Sequence, residues 1–382
     1  MVVIGGGLVG LVTTLALARR GVQVLLVASS EPGAASTAAA GMLAPGVEHG
    51  SAVPEPPTGS AAAAGAAGAT VPAGNATDRF AVAARDFYLP FLAQLESDTG
   101  ERVHLDRGGI LDVALEAASA DALRSRAGSG EWLDPAALRT LEPALAHAHG
   151  ALLHHHDGYV DNVHLVRVLA EHAAHHEHVR VVAARATALE WSGEHPVVRA
   201  EGVTARGETV VLAAGAWSGA LPGLPRALPV RPVRGQLLAL AAAPLRHVTY
   251  GPSSYAVPRG ATTVVGSTME SVGFDATVTQ TATTAIRTRT EALCPALGDA
   301  RVCDRWAGLR PVTPDLLPIL GRDPDNPRLV YACGHSRNGI LLGPLSAECV
   351  AAVVANETPP QPLHPFRIDR FLQEPANSNQ RK

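Results

Sequence analysis

The sequence predicts an α/β fold in which a parallel nucleotide-binding sheet carries an inserted, more antiparallel domain. Three observations lead there: a glycine-rich fingerprint directly after the first apolar segment, strands alternating with helices near both ends, and a strand-rich middle between them. At 382 residues the chain is long enough for two domains or for one large domain with an insert.

The first element is the apolar stretch Met1 to Ile4, followed by Gly5-Gly6-Gly7-Leu8-Val9-Gly10. This is G-x-G-x-x-G in a strand–turn–helix setting. Gly5 suits the tight turn, Gly7 lets the backbone approach a pyrophosphate, and Gly10 lets the next helix pack on the sheet with its N-terminus toward the phosphates. Leu11 to Arg20 reads as that helix, Gly21 as its end and Val22 to Val27 as the second strand. The rival readings are a glycine-rich turn with no ligand and a signal peptide; against the second, no positive charge precedes the apolar run and three glycines interrupt it. The second strand of such folds commonly ends on an acid that binds a ribose. Here the place holds Ala28, then Ser29 and Ser30, with Glu31 three residues late, so Ser29 or Glu31 serves the ribose or that contact is missing.

Residues 48–78 are mostly Ala, Gly, Pro, Ser and Thr and bury too little to offset ordering entropy, which predicts a flexible surface insertion; a lid over the site ranks lower. The helical pattern returns from Phe80 to Thr99, with Phe87, Phe91 and Leu95 at i, i+4, i+8. Further predicted strands lie near 108–115, 152–156, 179–182, 197–200, 210–214, 236–241 and 262–266, and helices near 135–142, 163–174 and 281–297. The expected division is a discontinuous nucleotide domain (1–47, 150–225, 300–370), a second domain (79–149, 226–299) and a disordered tail at 371–382.

Net charge is −4, so nothing calls for nucleic acid, and no apolar run reaches membrane-spanning length without Gly or charge. Cys294, Cys303, Cys333 and Cys349 show no C-x-x-C spacing, which suits a reduced cytoplasmic protein. The histidines near 154–178 lack an H-E-x-x-H acid and read as solvated side chains, so no metal is expected.

Several segments carry meaning jointly. They are Ala34 to Leu43, Val210 to Ser218, Arg231 to Gln236, Tyr255 to Arg259, Gly266 to Met269, Trp306 to Pro311, Gly334 to Leu341 and Leu363 to Arg370. With them the chain resembles the D-amino acid oxidase superfamily, most closely its glycine oxidases of thiamine biosynthesis, over residues 1 to about 370 apart from 48–78. The resemblance implies FAD held noncovalently, since no cysteine stands near Gly308 where related enzymes link the flavin. It implies oxidative deamination of a small amino acid, dioxygen as the acceptor giving hydrogen peroxide, and a homotetramer.

Carried over by position, Arg310 matches the arginine that grips the substrate carboxylate, a role suited to a guanidinium's rigid two-pronged fork. Tyr255 matches a pocket tyrosine that assists this clamp, Met269 a wall residue beside the flavin, and Arg337 a second arginine near the site. On the cofactor side, Leu8 and Val9 match backbone donors to the pyrophosphate. Ala28 and Ser29 fall at the ribose, and Ala35 and Ser36 at a further phosphate contact. Ala40, Gly41 and Met42 match a segment passing the isoalloxazine, and Ala186 the strand at the adenine. His335, Ser336, Arg337, Asn338, Gly339, Ile340 and Leu341 match the loop cupping the pyrimidine end. Ser336 replaces a common aromatic and Val312 a common glycine. The implied chemistry is hydride loss from a substrate pinned by Arg310 and Tyr255, with positioning as the main source of rate. The alternatives are a D-amino acid or N-methyl amino acid oxidase or dehydrogenase and, from another class, a flavin-binding protein without catalysis.

Overall fold

A computed structural model describes residues 1–48, 76–125, 130–191 and 193–372. Most of the predicted insertion and nearly all of the predicted tail lie outside the described residues. Residues 76–78, expected in the insertion, open the helix Ala76–Thr99.

The nucleotide-binding sheet has six strands in the order Ile319–Arg322, Leu329–Cys333, Val210–Leu212, Val2–Ile4, Val24–Ala28, Val179–Ala183. All neighbours are parallel except the first pair. Its side chains alternate between two cores, as a period of two requires. Val3, Leu26 and Val211 face the helices Leu8–Ala18, Ala76–Thr99, Asn162–His175 and Gly339–Val354. Val2, Ile4, Val27, Val210 and Leu212 face the opposite core, which is shared with the antiparallel strands Ala186–Glu190, Val197–Ala200 and Val203–Arg206. Both sheet faces are covered, which is why these strands read as continuous apolar runs.

The second sheet has eight strands: Val302–Val312, Arg231–Leu240, Thr262–Gly266, Tyr255–Arg259, Val248–Tyr250, Ile110–Ala114, Gly150–His154 and Glu131–Leu133, in that spatial order. It is mixed, because Val248–Tyr250 runs parallel to Ile110–Ala114 while the other pairs are antiparallel. One face packs Leu111, Leu238, Ala256 and Val265 against Ile286 and Leu293 of the helix Gln280–Leu293. The other face presents Leu237, Tyr250, Tyr255 and Val257.

Three expected boundaries are corrected. Val302–Val312, assigned to the nucleotide domain, is an edge strand of the second sheet, paired with Arg231–Leu240 along its length. Gly150–His154 likewise belongs to the second sheet, beside Ile110–Ala114. The helix Ala76–Thr99, assigned to the second domain, instead packs Phe80, Ala84, Tyr88, Phe91 and Leu95 into the core of the nucleotide domain. Tyr88 also has a specific duty there. Pro344 lies inside the helix Gly339–Val354 and has no N–H for the carbonyl of Ile340; the buried Tyr88 hydroxyl donates to that carbonyl instead.

Local signals operate where the sequence places them. Asp134 caps Pro135–Leu141, its Oδ1 accepting from the amides of Ala136 and Ala137 at 2.9 and 2.8 Å. Among the described residues no helix is long and apolar enough to cross a membrane.

Candidate active site

A cavity of about 650 Å³ opens between the two sheets, within the range of cofactor clefts. The nucleotide domain contributes Gly5, Gly6, Gly7, Val9, Ser29, Glu31, Ala35, Ser36 and Ala40 to its wall. The second sheet contributes Gly235, Leu237, Tyr255, Gly308 and Arg310, and the loop after Thr262–Gly266 contributes Ser267. Gly334, His335, Ser336, Arg337, Gly339 and Ile340 close it from the loop after Leu329–Cys333 and the start of the next helix.

Two glycines of the fingerprint are sterically obligatory. Gly5 sits at φ +120°, and a Cβ there would stand 2.2 Å from the Ala213 carbonyl oxygen. A Cβ on Gly10 would stand 1.9 Å from the Gly5 carbonyl oxygen. Helix Leu8–Ala18 therefore docks with its N-terminus at the cavity, and its N-cap residue Gly7 supplies no side-chain cap. Unsatisfied amides and the helix dipole at that end suit an anion such as a pyrophosphate.

Two expected contacts differ. The Leu8 amide donates to Ser36 Oγ at 2.9 Å, and the Leu8 side chain is buried in the helix core, so Leu8 is not an open donor to the pyrophosphate. The Ser36 hydroxyl, held by that bond, retains its own proton for donation. At the ribose position Ala28 touches Gly6 rather than lining the cavity: a Cβ on Gly6 would lie 2.7 Å from the Ala28 Cβ. Ser29 and Glu31 line it instead, with Arg185, Ala186 and Thr187 beyond them.

The Ala40–Met42 segment lines the cavity and is pinned from behind. Nη2 of Arg259 donates to the Ala40 carbonyl at 2.8 Å and to Asn162 Oδ1 at 3.1 Å, while Asn162 donates to the Ser36 carbonyl at 2.8 Å. Trp306 Nε1 donates to the Ala38 carbonyl at 2.9 Å and fastens the chain just before that segment to the second sheet.

Arg310 and Tyr255 meet at the cavity wall. Nη2 of Arg310 donates to Ser267 Oγ at 2.8 Å, and Nη1 donates to the Thr268 carbonyl at 3.0 Å. Tyr255 is buried; desolvation raises its phenol above the usual range, against the opposing pull of Arg310, so it is a protonated donor. Arg337 Nη2 donates to the hydroxyl of Tyr250 at 2.7 Å, and Tyr250 stacks on Tyr255 with ring centroids 6.3 Å apart. Met269 is not among the residues of the cavity wall; Ser267, two positions earlier, takes that place. Gly10, Asn338 and Leu341 also stand behind the wall rather than in it. Sequence reasoning passed over Tyr250, Ser267 and Phe274. Phe274 stacks on Trp217 at 5.7 Å, and both line the cavity. Tyr250 was legible in principle as the tyrosine five residues before Tyr255.

His335 lines the cavity, and its buried Nε2 has no partner among the described residues. Burial pushes its imidazole down to about 4. Together with the glycine cradle, this orphaned polar atom fits a large polar cofactor against the loop. It also sets a pH dependence. An unfolded histidine titrates near about 6.5, so below that pH the unfolded chain binds a proton that the folded one refuses. The contribution of His335 to stability is therefore fully present above about pH 6.5 and falls as pH drops toward about 4, by about 1.4 kcal/mol per unit. In thermal melts at stepped pH, His335→Gln is expected to flatten this slope; equal slopes in parent and variant would exclude His335 as its source.

Among the described residues no cluster of three His, Cys, Asp or Glu could hold a metal. Of the histidines of 154–178, expected to be solvated, His155 pairs with Glu131 at 2.6 Å and His178 with Gln23 at 2.7 Å, whereas His154 is buried at the end of Gly150–His154 and corrects that expectation.

Comparison with known proteins agrees with this geometry. Residues 1–353 match the DAO family of FAD-dependent oxidoreductases. The chain is 34% identical to the bifunctional protein ThiO/ThiG of Synechocystis sp. over 97% of its own length and 54% of that protein, so it spans about half the length of such relatives. It is 31% identical to a glycine oxidase of Geobacillus kaustophilus, covering 97% of this chain and 96% of the relative. The crystal structure of glycine oxidase from Geobacillus kaustophilus superposes with a TM-score of 0.85 at 27% identity, covering 97% of this chain and 98% of that one. Glycine cradle, two-sheet cleft and matching relatives lead to one assignment: the chain belongs to the DAO family of FAD-dependent oxidoreductases.

Proposed function

We propose that the protein oxidises glycine or a similar small amino acid to its imine, which water converts to the 2-oxo acid and ammonia, with dioxygen reduced to hydrogen peroxide. The observation that carries this reading is the pair formed by Arg310 and the protonated Tyr255 at the cavity wall. The guanidinium fork suits a carboxylate, and a neutral phenol beside it adds a donor without competing charge. FAD, when bound, supplies the two-electron acceptor. The residues that would hold it are the Gly5–Val9 turn, Ser29, Glu31, Ser36, the Ala40–Met42 segment and the His335–Ile340 loop.

The flavin is read as noncovalent, since Gly308 faces the cavity where related enzymes carry a linking cysteine. Cys333 also lines the cavity, but burial pushes its thiol up to about 12, so it is not a ready nucleophile. The chain's contribution to catalysis is orientation: a carboxylate fixed at Arg310 leaves the α-carbon in one place. A role in thiamine thiazole formation, a homotetramer and a cytoplasmic location belong to the same reading, on the resemblance alone.

Anaerobic mixing with glycine, sarcosine and D-alanine tests it. Bleaching of bound flavin by glycine, with peroxide formed on return of air, is the expected result. Bleaching only by sarcosine or D-alanine would move the activity to N-methyl or D-amino acids, and bleaching by none would refute amine oxidation.

A further inference from the structure

The guanidinium of Arg310 is held from three sides. It lies across Gly235 on the neighbouring strand, where a Cβ would stand 1.9 Å from Nη1. Nη1 is bound by the Thr268 carbonyl and Nη2 by Ser267 Oγ. The Tyr255 hydroxyl lies against the same loop, where a Cβ on the adjacent Gly266 would stand 2.8 Å from it, and Ser267 favours its ionised form, so one small group serves both members of the clamp. Ser267 faces the cavity as well.

The loop that carries Ser267 is itself anchored. Arg234 is buried in the second sheet and pairs with Glu270 and Asp275, each at 2.6 Å. The Gln236 amide donates to Thr268 Oγ1 at 3.0 Å. A loop fixed at these points presents Ser267 in one place, and a rigid support is what an oriented binding group needs.

We propose that Ser267 is a positioning residue for substrate carboxylate, joining Tyr255 and Arg310 into one preformed clamp. The physical reason is entropic. A long arginine and a tyrosine that each had to be ordered on binding would spend part of the interaction on their own immobilisation, and a shared partner orders them beforehand. The substrate class this favours is a small α-amino carboxylate, because both donors then converge on one carboxylate at a fixed distance from the cavity floor. The proposal rests on the reading of Arg310 and Tyr255 as the carboxylate clamp.

The test uses the FAD-loaded protein, with acetate as a minimal carboxylate that perturbs the absorbance of bound flavin, and glycine turnover as the second readout. Ser267→Ala is expected to weaken acetate by about tenfold, the loss of one hydrogen bond to a charged group, and to raise KM by a similar factor with kcat little changed. Ser267→Thr keeps the hydroxyl and is expected to restore binding. Ser267→Ala added to Tyr255→Phe is expected to cost less than the two single losses combined, because the pair acts as a unit. An S267A protein that binds acetate within twofold of the parent, or an S267T protein as weak as S267A, would overturn the proposal. Arg310→Ala separates the two levels. If it binds acetate as the parent does, the clamp reading fails and this proposal with it. If it binds weakly while S267A binds normally, only the role of Ser267 is lost.

Discussion

Arg310→Ala is expected to yield a yellow, folded protein with little turnover. The side chain lies on the second sheet, away from the glycine cradle, so flavin should be retained. What it removes is the two-pronged donor for the substrate carboxylate. Hydrogen bonds to charged groups contribute about 1.5–3 kcal/mol each, so the loss of two corresponds to a fall in kcat/KM of about 100- to 10,000-fold. Both KM and kcat should suffer, because a carboxylate no longer fixed leaves the α-carbon out of line. Steady-state oxygen consumption with glycine measures this, and an unchanged kcat/KM would remove Arg310 from the site.

Gly10→Ala is the second large effect. The obstacle at 1.9 Å is the backbone oxygen of Gly5, with the Gly5 carbonyl carbon at 2.9 Å, so no rotamer change relieves it. The helix Leu8–Ala18 must lift from the turn, at a cost of about 1–3 kcal/mol or more in packing, and its amides leave the position that suits a pyrophosphate. The expected product is a colourless protein with a lowered melting temperature. Parent-level flavin content in the Gly10 variant would show that the cradle does not set cofactor binding.

The two variants separate what the residues could announce from what the fold had to supply. Gly5, Gly7 and Gly10 are legible in sequence because their spacing follows from a local turn entering a helix, and the structure places them where that turn requires. The parallel strands are legible for a related reason. Val2–Ile4 and Val210–Leu212 are covered on both faces, so burial writes itself as an uninterrupted apolar run.

Val302–Val312 carries no such mark. It contains Asp304, Arg305, Gly308, Arg310 and Pro311, and it is a strand because Arg231–Leu240 offers a ladder along its length. Its true sheet, and with it the boundary between the domains, depends on a partner about seventy residues away in the chain. The helix Ala76–Thr99 shows the complementary case. Its periodicity reveals a helix, but periodicity does not say which core receives the apolar stripe.

The sequence by itself determined the nucleotide-binding turn, the alternation of strands and helices, and the residue types able to grip a carboxylate. Each is a local pattern, or a chemistry carried in one side chain. The tertiary structure alone decided that Ser267 bonds Arg310 on the loop beside Tyr255, that Tyr250 bonds Arg337, and that Ser36 takes the Leu8 amide. It also decided that Met269 lies outside the cavity wall. Those relations join segments far apart in the chain, and their geometry is set by sheet register and packing, which no local pattern encodes.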